Sequence, residues 1–309
     1  MLRFVLARVA SALLVVLGVA TIVFFLVHII PGDPVEVMLG ESAQITDREA
    51  LRHALGLDLP LWQQWWNYLS HMARGELGTS LYTKQPVAEL LAERIPATVQ
   101  LAAAGLGVAV VIAFPLGTLA ALRRGSAWDR SAMGFSLLGM SIPHFWLGPL
   151  LILLFSVWLG WLPVSGREGL ASMVLPAITL GTALAAILSR MLRATVLEVL
   201  GEDYIRTARA KGISERAVIW RHAVRNALLP IVTLLGLQLG ALLGGAVITE
   251  TVFSWPGLGQ LTIESIQRRD YPTLQACVLL ISVAYVAVNT LTDMVYGWLD
   301  PRVRYGANS

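Results

Sequence analysis

Six runs of apolar residues, each long enough to cross a bilayer, limit what this chain can fold into more than any other feature. A hydrocarbon core about 30 Å thick needs about 20 residues of helix, and the runs at about 9–30, 97–122, 131–159, 174–196, 229–250 and 274–297 all reach that length. The expected fold is all-α, a polytopic membrane protein with six transmembrane helices. The third run holds Pro143 and Pro149 and is expected to be kinked, which membrane helices tolerate where neighbours satisfy the freed carbonyls. The first run is too long for a signal-peptide core and lacks a small-residue cleavage site, so it is read as a retained anchor. Composition agrees: of 309 residues, 56% are hydrophobic and 14% charged, against about 25% charged in soluble domains, and mean hydropathy is +0.67. A single cysteine, Cys277, excludes an internal disulfide and a cysteine-cluster metal site. The net charge of +3 is too small to point to nucleic acid.

Orientation follows from the basic residues. With the N-terminus inside, the cytoplasmic segments hold Arg3, Arg8, Arg123, Arg124, Arg130, Arg190, Arg193, Arg206, Arg209, Lys211, Arg216, Arg221, Arg225, Arg302 and Arg304. The opposite side holds Arg48, Arg52, Arg74, Lys84, Arg94, Arg167, Arg268 and Arg269, a ratio of 15 to 8. Both termini are therefore expected in the cytoplasm, with residues 31–96 outside. That outer loop carries helix signals of its own. Thr46 and Glu49 have capping-box spacing, Gly56 suits a helix stop, and Pro60 suits the start of a helix bearing Trp62, Trp65 and Trp66. Such a helix lies at the lipid headgroups or packs on the spans, and the sequence leaves both readings open. The expected division is 1–96, the first span with its outer loop, and 97–309, a five-span core whose cytoplasmic loop occupies about 200–228.

That loop contains "YIRTARAKGISERAVIWRHAVRNALLP", Tyr204 to Pro230. One short helix is expected from about Glu202 to Lys211, with acids at its start and a lysine in its last turn, both suited to the helix dipole. Gly212 sits where a left-handed stop residue belongs. A second helix starts near Ser214, with Ile213, Ala217, Trp220 and Val224 in one narrow arc and Pro230 opening the fifth span. A basic loop resting on the membrane and a docking element for a soluble protein both fit this pattern.

"ARAKG" followed by "RNALLP" resembles the cytoplasmic loop of the inner-membrane subunits of bacterial ATP-binding-cassette (ABC) importers, and specifically the dipeptide/oligopeptide permease group. The broad motif of those importers has Glu-Ala-Ala, three residues, then Gly; here Arg206, Thr207 and Ala208 stand first and Gly212 keeps its place. That departure, and the longer stretch from Gly212 to Pro230, are what the peptide-permease branch shows. The likeness runs through "HIIPGDP", "LGLDLPLWQQW", "GELGTSL", "SIPHFWLGPLL", "LPAITLG", "FSWPGLGQL", "RDYPTLQ" and "LDPRVRYG" in order, nearly the whole chain. It matches the first, B-type permease subunit, the one with a long loop after span one. The resemblance implies a sister permease as heterodimer partner, two cytoplasmic ABC ATPases, and a periplasmic or lipid-anchored substrate-binding protein, in a bacterial inner membrane. It also implies that Ala208, Arg209, Lys211, Gly212, Ile213, Glu215 and Trp220 form the segment gripped by an ATPase.

The residues exclude ATP chemistry in this chain on their own account. A phosphate-binding loop needs Gly-Lys followed by Ser or Thr, and the two lysines, Lys84 and Lys211, follow Thr83 and Ala210. No nucleophile elbow, HExxH or pair of mid-span aspartates appears, so no enzyme, cofactor or metal site is expected. Candidates for the pathway or a gate are Gln238 in span five, Trp255, Pro256 and Gly257 in the turn after it, and Asn289 and Asp293 one helical turn apart in span six. Intramembrane polar groups are costly and often functional; bonds across helices, an Asp293–Arg pair and a plain connector at Trp255–Gly257 are the alternatives. A self-sufficient channel or secondary transporter would call for inverted repeats or several mid-span acids, and neither is seen.

Overall fold

The computed structural model describes residues 2–29, 35, 39, 44–54 and 56–299. Among the described residues the regular elements are helices, with one isolated bridge between Thr79 and Pro86. In chain order they are α1 (Leu2–Ile29), α2 (Ile45–Ala54), α3 (Leu61–Ala73), α4 (Val87–Leu122), α5 (Ala127–Ser141) and α6 (His144–Leu151, widening to a π turn at Ile152–Trp158). Then follow α7 (Leu170–Leu200), α8 (Asp203–Ala210), α9, α10 (Leu258–Gln267) and α11 (Tyr271–Leu299). Helix α9 begins as one turn at Glu215–Ala217, passes through a π stretch at Val218–Val224 and continues as Arg225–Val252. Helices α1, α4, α7 and α11 hold apolar stretches long enough to cross a membrane, and the pair α5–α6 and the two arms of α9 each reach that length together.

The expected kink in the third run is a break of 105° between α5 and α6. Its cause is local. The residue before a proline is pushed out of the helical region, and Ile142 adopts φ −86°, ψ 116° ahead of Pro143. Pro149 instead stays inside α6, just ahead of the π turn. His144 closes the break by donating from Nδ1 to the Thr179 carbonyl of α7 at 2.9 Å.

The chain divides into two units. Residues 99–255 and 288–309 form one of them, with α7 at its centre. Leu175, Leu180, Leu184, Leu188 and Leu192 run down its buried face, the stripe a helix presents to its neighbours. Glycines set how closely the helices approach: a Cβ on Gly181 would lie 2.5 Å from the Gly105 carbonyl, and one on Gly117 2.7 Å from that of Ser189. Ser136 and Ser189 share a buried hydroxyl contact of 2.7 Å between α5 and α7. At the start of α5, Asp129 accepts from Arg193 Nε and Nη2 at 2.6 and 2.7 Å and from the Gly125 amide at 2.9 Å.

Residues 1–98 and 256–287 form the other unit. Val87, Leu90 and Leu91 of α4 bury themselves against Leu258 and Leu261 of α10 and Ala276 and Cys277 of α11. Thr98 Oγ1 accepts from the Leu258 amide at 2.8 Å, satisfying a free donor at the start of α10. Helix α3 packs on α1 through Trp65, whose indole donates to Thr21 Oγ1 at 3.2 Å, and through the stacked rings of Tyr68 and Phe24. Trp62 and Trp66 are exposed, Trp62 lining a shallow pocket with Phe25 of α1. One face of the tryptophan helix thus packs on α1 and the other stays free. Helix α2 starts at Ile45, so Thr46 lies in its first turn and not at its cap; Gly56 closes it at φ +66° as expected.

Asp129 is 6% exposed and Arg193 26%, so truncating one partner strands a charge. Asp129→Ala is expected to cost about 3 kcal/mol and to lower the thermal midpoint in detergent by several degrees. Arg193→Met added to it should restore part of the loss, because the stranded cation is gone; a melt followed by tryptophan fluorescence measures both.

Candidate functional site

The basic stretch after α7 folds as a helix, a reversal and a second helix. Gly201 ends α7 and Glu202 is extended, so α8 starts at Asp203. At its other end Lys211 leads into Gly212 at φ +75°, the Gly212 amide bonds the Arg209 carbonyl at 3.0 Å and the Ile213 amide bonds the Ala208 carbonyl at 3.3 Å. Those two bonds with a left-handed glycine make a Schellman stop, and its usual apolar contact is supplied by Ile213 packing near Ala208. The glycine is required here by its φ, since space around a Cβ is open.

Helix α8 is held on the start of α9 by a small core of Ile205, Ala208, Val218 and Ala223, with Val199, Leu200 and Ile213 against it. Two polar clamps reinforce it. The Arg209 guanidinium grips the Glu215 carboxylate through two bonds of 2.6 and 3.0 Å, straddling Gly212. Asn226 Nδ2 donates to the Tyr204 hydroxyl at 2.8 Å.

The second helix departs from the sequence reading in one way. It does not stop before Pro230 but runs into the fifth span as α9, bent by 46° between its arms. The arc of Ile213, Ala217, Trp220 and Val224 is mixed: Val224 is buried, Ile213 and Ala217 are half-buried and Trp220 is exposed. Val218 and Ala223, five residues apart, are fully buried, while Trp220 is 55% exposed. The π stretch explains this: its bonds span five residues, so Val218 and Ala223 come onto one face and Trp220 turns outward. A sequence read at 3.6 residues per turn carries no sign of that change. The free surface therefore consists of Arg206, Lys211, Gly212, Arg216, Trp220 and Arg221, all exposed, with Ala208 buried behind it and Ile213 half-buried.

The pathway candidates do not form one cluster. Trp255 is fully buried, its amide bonded to the Glu250 carbonyl at 2.8 Å and its ring 5.8 Å from the Arg167 guanidinium. Pro256 and Gly257 complete the turn into α10, for which Gly257 is the cap residue. Gln238 is partly buried in α9. Near it, Gly236 meets Thr292 of α11 so closely that a Cβ would collide. One turn before Thr292, Asn289 Oδ1 is buried with no hydrogen-bond partner among the described residues; the Asp293 side chain lies outside what the structure describes. Sequence reasoning passed over Glu250, fully buried at the end of α9, and Asp270, described below. An acid at the edge of an apolar run was the available signal for both.

Residues 113–305 match the family described as the binding-protein-dependent transport system inner membrane component, and residues 1–102 match the N-terminal family of the same systems' membrane component. The chain belongs to this family, and it is a permease subunit of an ABC importer. It is 44% identical over 337 aligned positions to the dipeptide transport system permease protein DppB of Escherichia coli (strain K12), with 99% of each chain covered. To the glutathione transport system permease protein GsiC of the same strain it is 43% identical over 305 positions, covering 99% of this chain and 100% of that one. Its fold is similar to an inward-facing structure of the MetNI methionine ABC transporter, with TM-score 0.59 and 21% identity over 70% of this chain and 98% of the solved one.

The reversal at Gly212 is expected to be rigid. Gly212→Val forces a branched residue into the left-handed region at a cost of about 1 kcal/mol or more, which raises local opening about fivefold. Arg209→Ala removes an exposed clamp and should raise it about twofold. Hydrogen exchange of amides 203–215 reads both, and that order of effects is the expected result.

Proposed function

We propose that this chain forms half of the translocation pathway of an ATP-driven importer of peptides. A sister permease supplies the other half, two cytoplasmic ATPases drive it, and an external binding protein delivers the substrate. The observation that carries the substrate class is full-length likeness to a dipeptide and a glutathione transport system permease, dipeptides and the tripeptide glutathione both being small peptides. In this reading the six apolar stretches each cross a bacterial inner membrane, both termini are cytoplasmic and residues 31–96 lie outside. The segment from α8 to the start of α9 meets an ATPase. Trp220 enters that partner's groove as an aromatic anchor, Lys211, Arg216 and Arg221 supply charge around it, and Arg209, Glu215, Ala208 and Ile213 hold the reversal in shape. Exposure of a tryptophan beside a rigid glycine stop supports a protein contact there. Gln238 and Asn289 face the pathway, and the turn at Trp255–Gly257 forms part of an outer gate.

Orientation is tested by cysteine accessibility in intact cells. A Ser42→Cys variant should react with an impermeant maleimide and a Ser214→Cys variant should not; the opposite pattern defeats the assignment. Coupling is tested in the reconstituted complex. Gly212→Val should abolish transport while the subunits still assemble and reach the membrane at normal levels. Trp220→Ala should lower the stimulation of ATPase activity by loaded binding protein about tenfold or more, matching the loss of about 2 kcal/mol at a buried anchor. Near-normal uptake by Gly212→Val would restore a surface-resting loop. Uptake by this chain alone in liposomes under an ion gradient would favour a secondary transporter.

A further inference from the structure

Two segments far apart in sequence meet at a buried carboxylate. Asp270, 4% exposed, accepts from the Ser80 hydroxyl at 2.5 Å, the Leu81 amide at 3.0 Å and the Thr273 hydroxyl at 2.8 Å. The loop is tied further by the Thr79–Pro86 bridge, the Ser80 amide on the Gln85 carbonyl and the Lys84 amide on the Ser80 carbonyl. With its carboxylate consumed inside, this junction shows cations to solvent. Lys84, Arg268 and Arg269 are exposed and are the basic residues of 77–88 and 265–275; Asp270 is the acid within those segments, and Glu76, Glu89 and Glu264 flank them. Among the described residues no carboxylate pairs with any of the three. Arg268 lies over the exposed Tyr82 ring at 4.0 Å, which orients the guanidinium and leaves its N–H edge free. Lys84 and Arg269 have φ of +60° and +52°, in the left-handed region that favours glycine. Strained backbone persists where the surroundings over-determine it, and it gathers at functional sites.

The position of this patch separates it from lipid. Helix α4 has 36 residues, about 54 Å at 1.5 Å each, against about 30 Å of hydrocarbon. Arg123 and Arg124 follow its end at once, whereas Glu89, Glu93 and Arg94 fall in its first turns, so the surplus projects from its start. Lys84 precedes that start, beyond a headgroup layer about 5–8 Å deep. A cavity of about 140 Å³ adjoins the junction, sharing Gly78 and Pro272 with it and lined also by Tyr68, His71, Glu76 and Gln275. It is large enough to take a side chain, and the buried Tyr68 hydroxyl has no partner among the described residues.

We propose that Lys84, Arg268 and Arg269, on the scaffold latched by Asp270, form a docking surface for carboxylates on the external binding protein. This rests on the importer reading above. Charged groups at the rim of an interface govern encounter and its salt dependence, so the effect belongs in apparent affinity and not in maximal rate. The test uses the complete complex in nanodiscs, with the purified binding protein of the same system loaded with a dipeptide, and measures stimulated ATPase activity against binding-protein concentration. Lys84→Glu/Arg269→Glu should raise the half-saturating concentration at least tenfold, with the maximal rate regained at high concentration. Raising salt should weaken the unaltered complex more steeply than the variant. The milder Lys84→Gln/Arg269→Gln should shift half-saturation in the same direction by less, which separates lost charge from a disrupted loop. Unchanged half-saturation in both variants, or changes that follow the anionic lipid content of the nanodisc, would overturn the proposal. If no binding protein stimulates even the unaltered complex, the importer reading fails first and the docking surface with it.

Discussion

Inside hydrocarbon no water is available to a backbone amide or carbonyl, so each must find its partner within the protein. That constraint explains why the described chain is helical almost throughout and why its departures from helix are so closely supported. Where Pro143 turns the chain by 105°, the next residue, His144, reaches across to a carbonyl of α7. Where α10 begins with free amides, a threonine from α4, 160 residues away, accepts one of them. The breaks are hydrogen-bonded junctions, each placed by a partner from a distant part of the chain.

Charge follows the same logic at the ends of the spans. Burying a lone ion is far costlier than burying one that is paired and hydrogen-bonded, and both well-buried acids with known contacts are over-supplied with donors. Asp129 takes two bonds from Arg193 and one from the Gly125 amide, fixing the start of α5 to α7. Asp270 takes three from neutral groups, fixing the loop at 79–86 to the start of α11. Because Asp270 needs no cation, the three beside it remain exposed to solvent. A structural latch in this way leaves the neighbouring cations facing solvent.

The segment around Gly212 shows how a short sequence produces a stiff element on a permease. The glycine is the one residue for which φ +75° carries little strain, two backbone bonds complete the stop, and an arginine–glutamate fork closes across it. Behind it a four-residue core joins α8 to α9, and α9 continues directly into a span. The reversal is thereby joined to an apolar stretch long enough to cross a membrane, through a helix bent by 46° between its arms.

Much of this was legible beforehand. The apolar stretches long enough to cross a membrane follow from length and hydropathy because lipid imposes a fixed thickness, the stop at Gly212 follows from local backbone sterics, and the family follows from ordered motifs. Each of these is a property of neighbours in sequence, so the sequence by itself determined it. The joint burial of Val218 and Ala223 was not legible, because a π stretch changes the helical period without changing the residue pattern. The burial of Glu250, the pairing of Asp129 with Arg193 and the latch between Ser80 and Asp270 were hidden for a related reason. Their partners lie 64 and 190 residues apart where the contacts are known, and a carboxylate that will be buried looks in sequence like one that will be solvated. Only tertiary packing decides between those two states, because the cost of burial is offset by donors that the fold alone brings within reach.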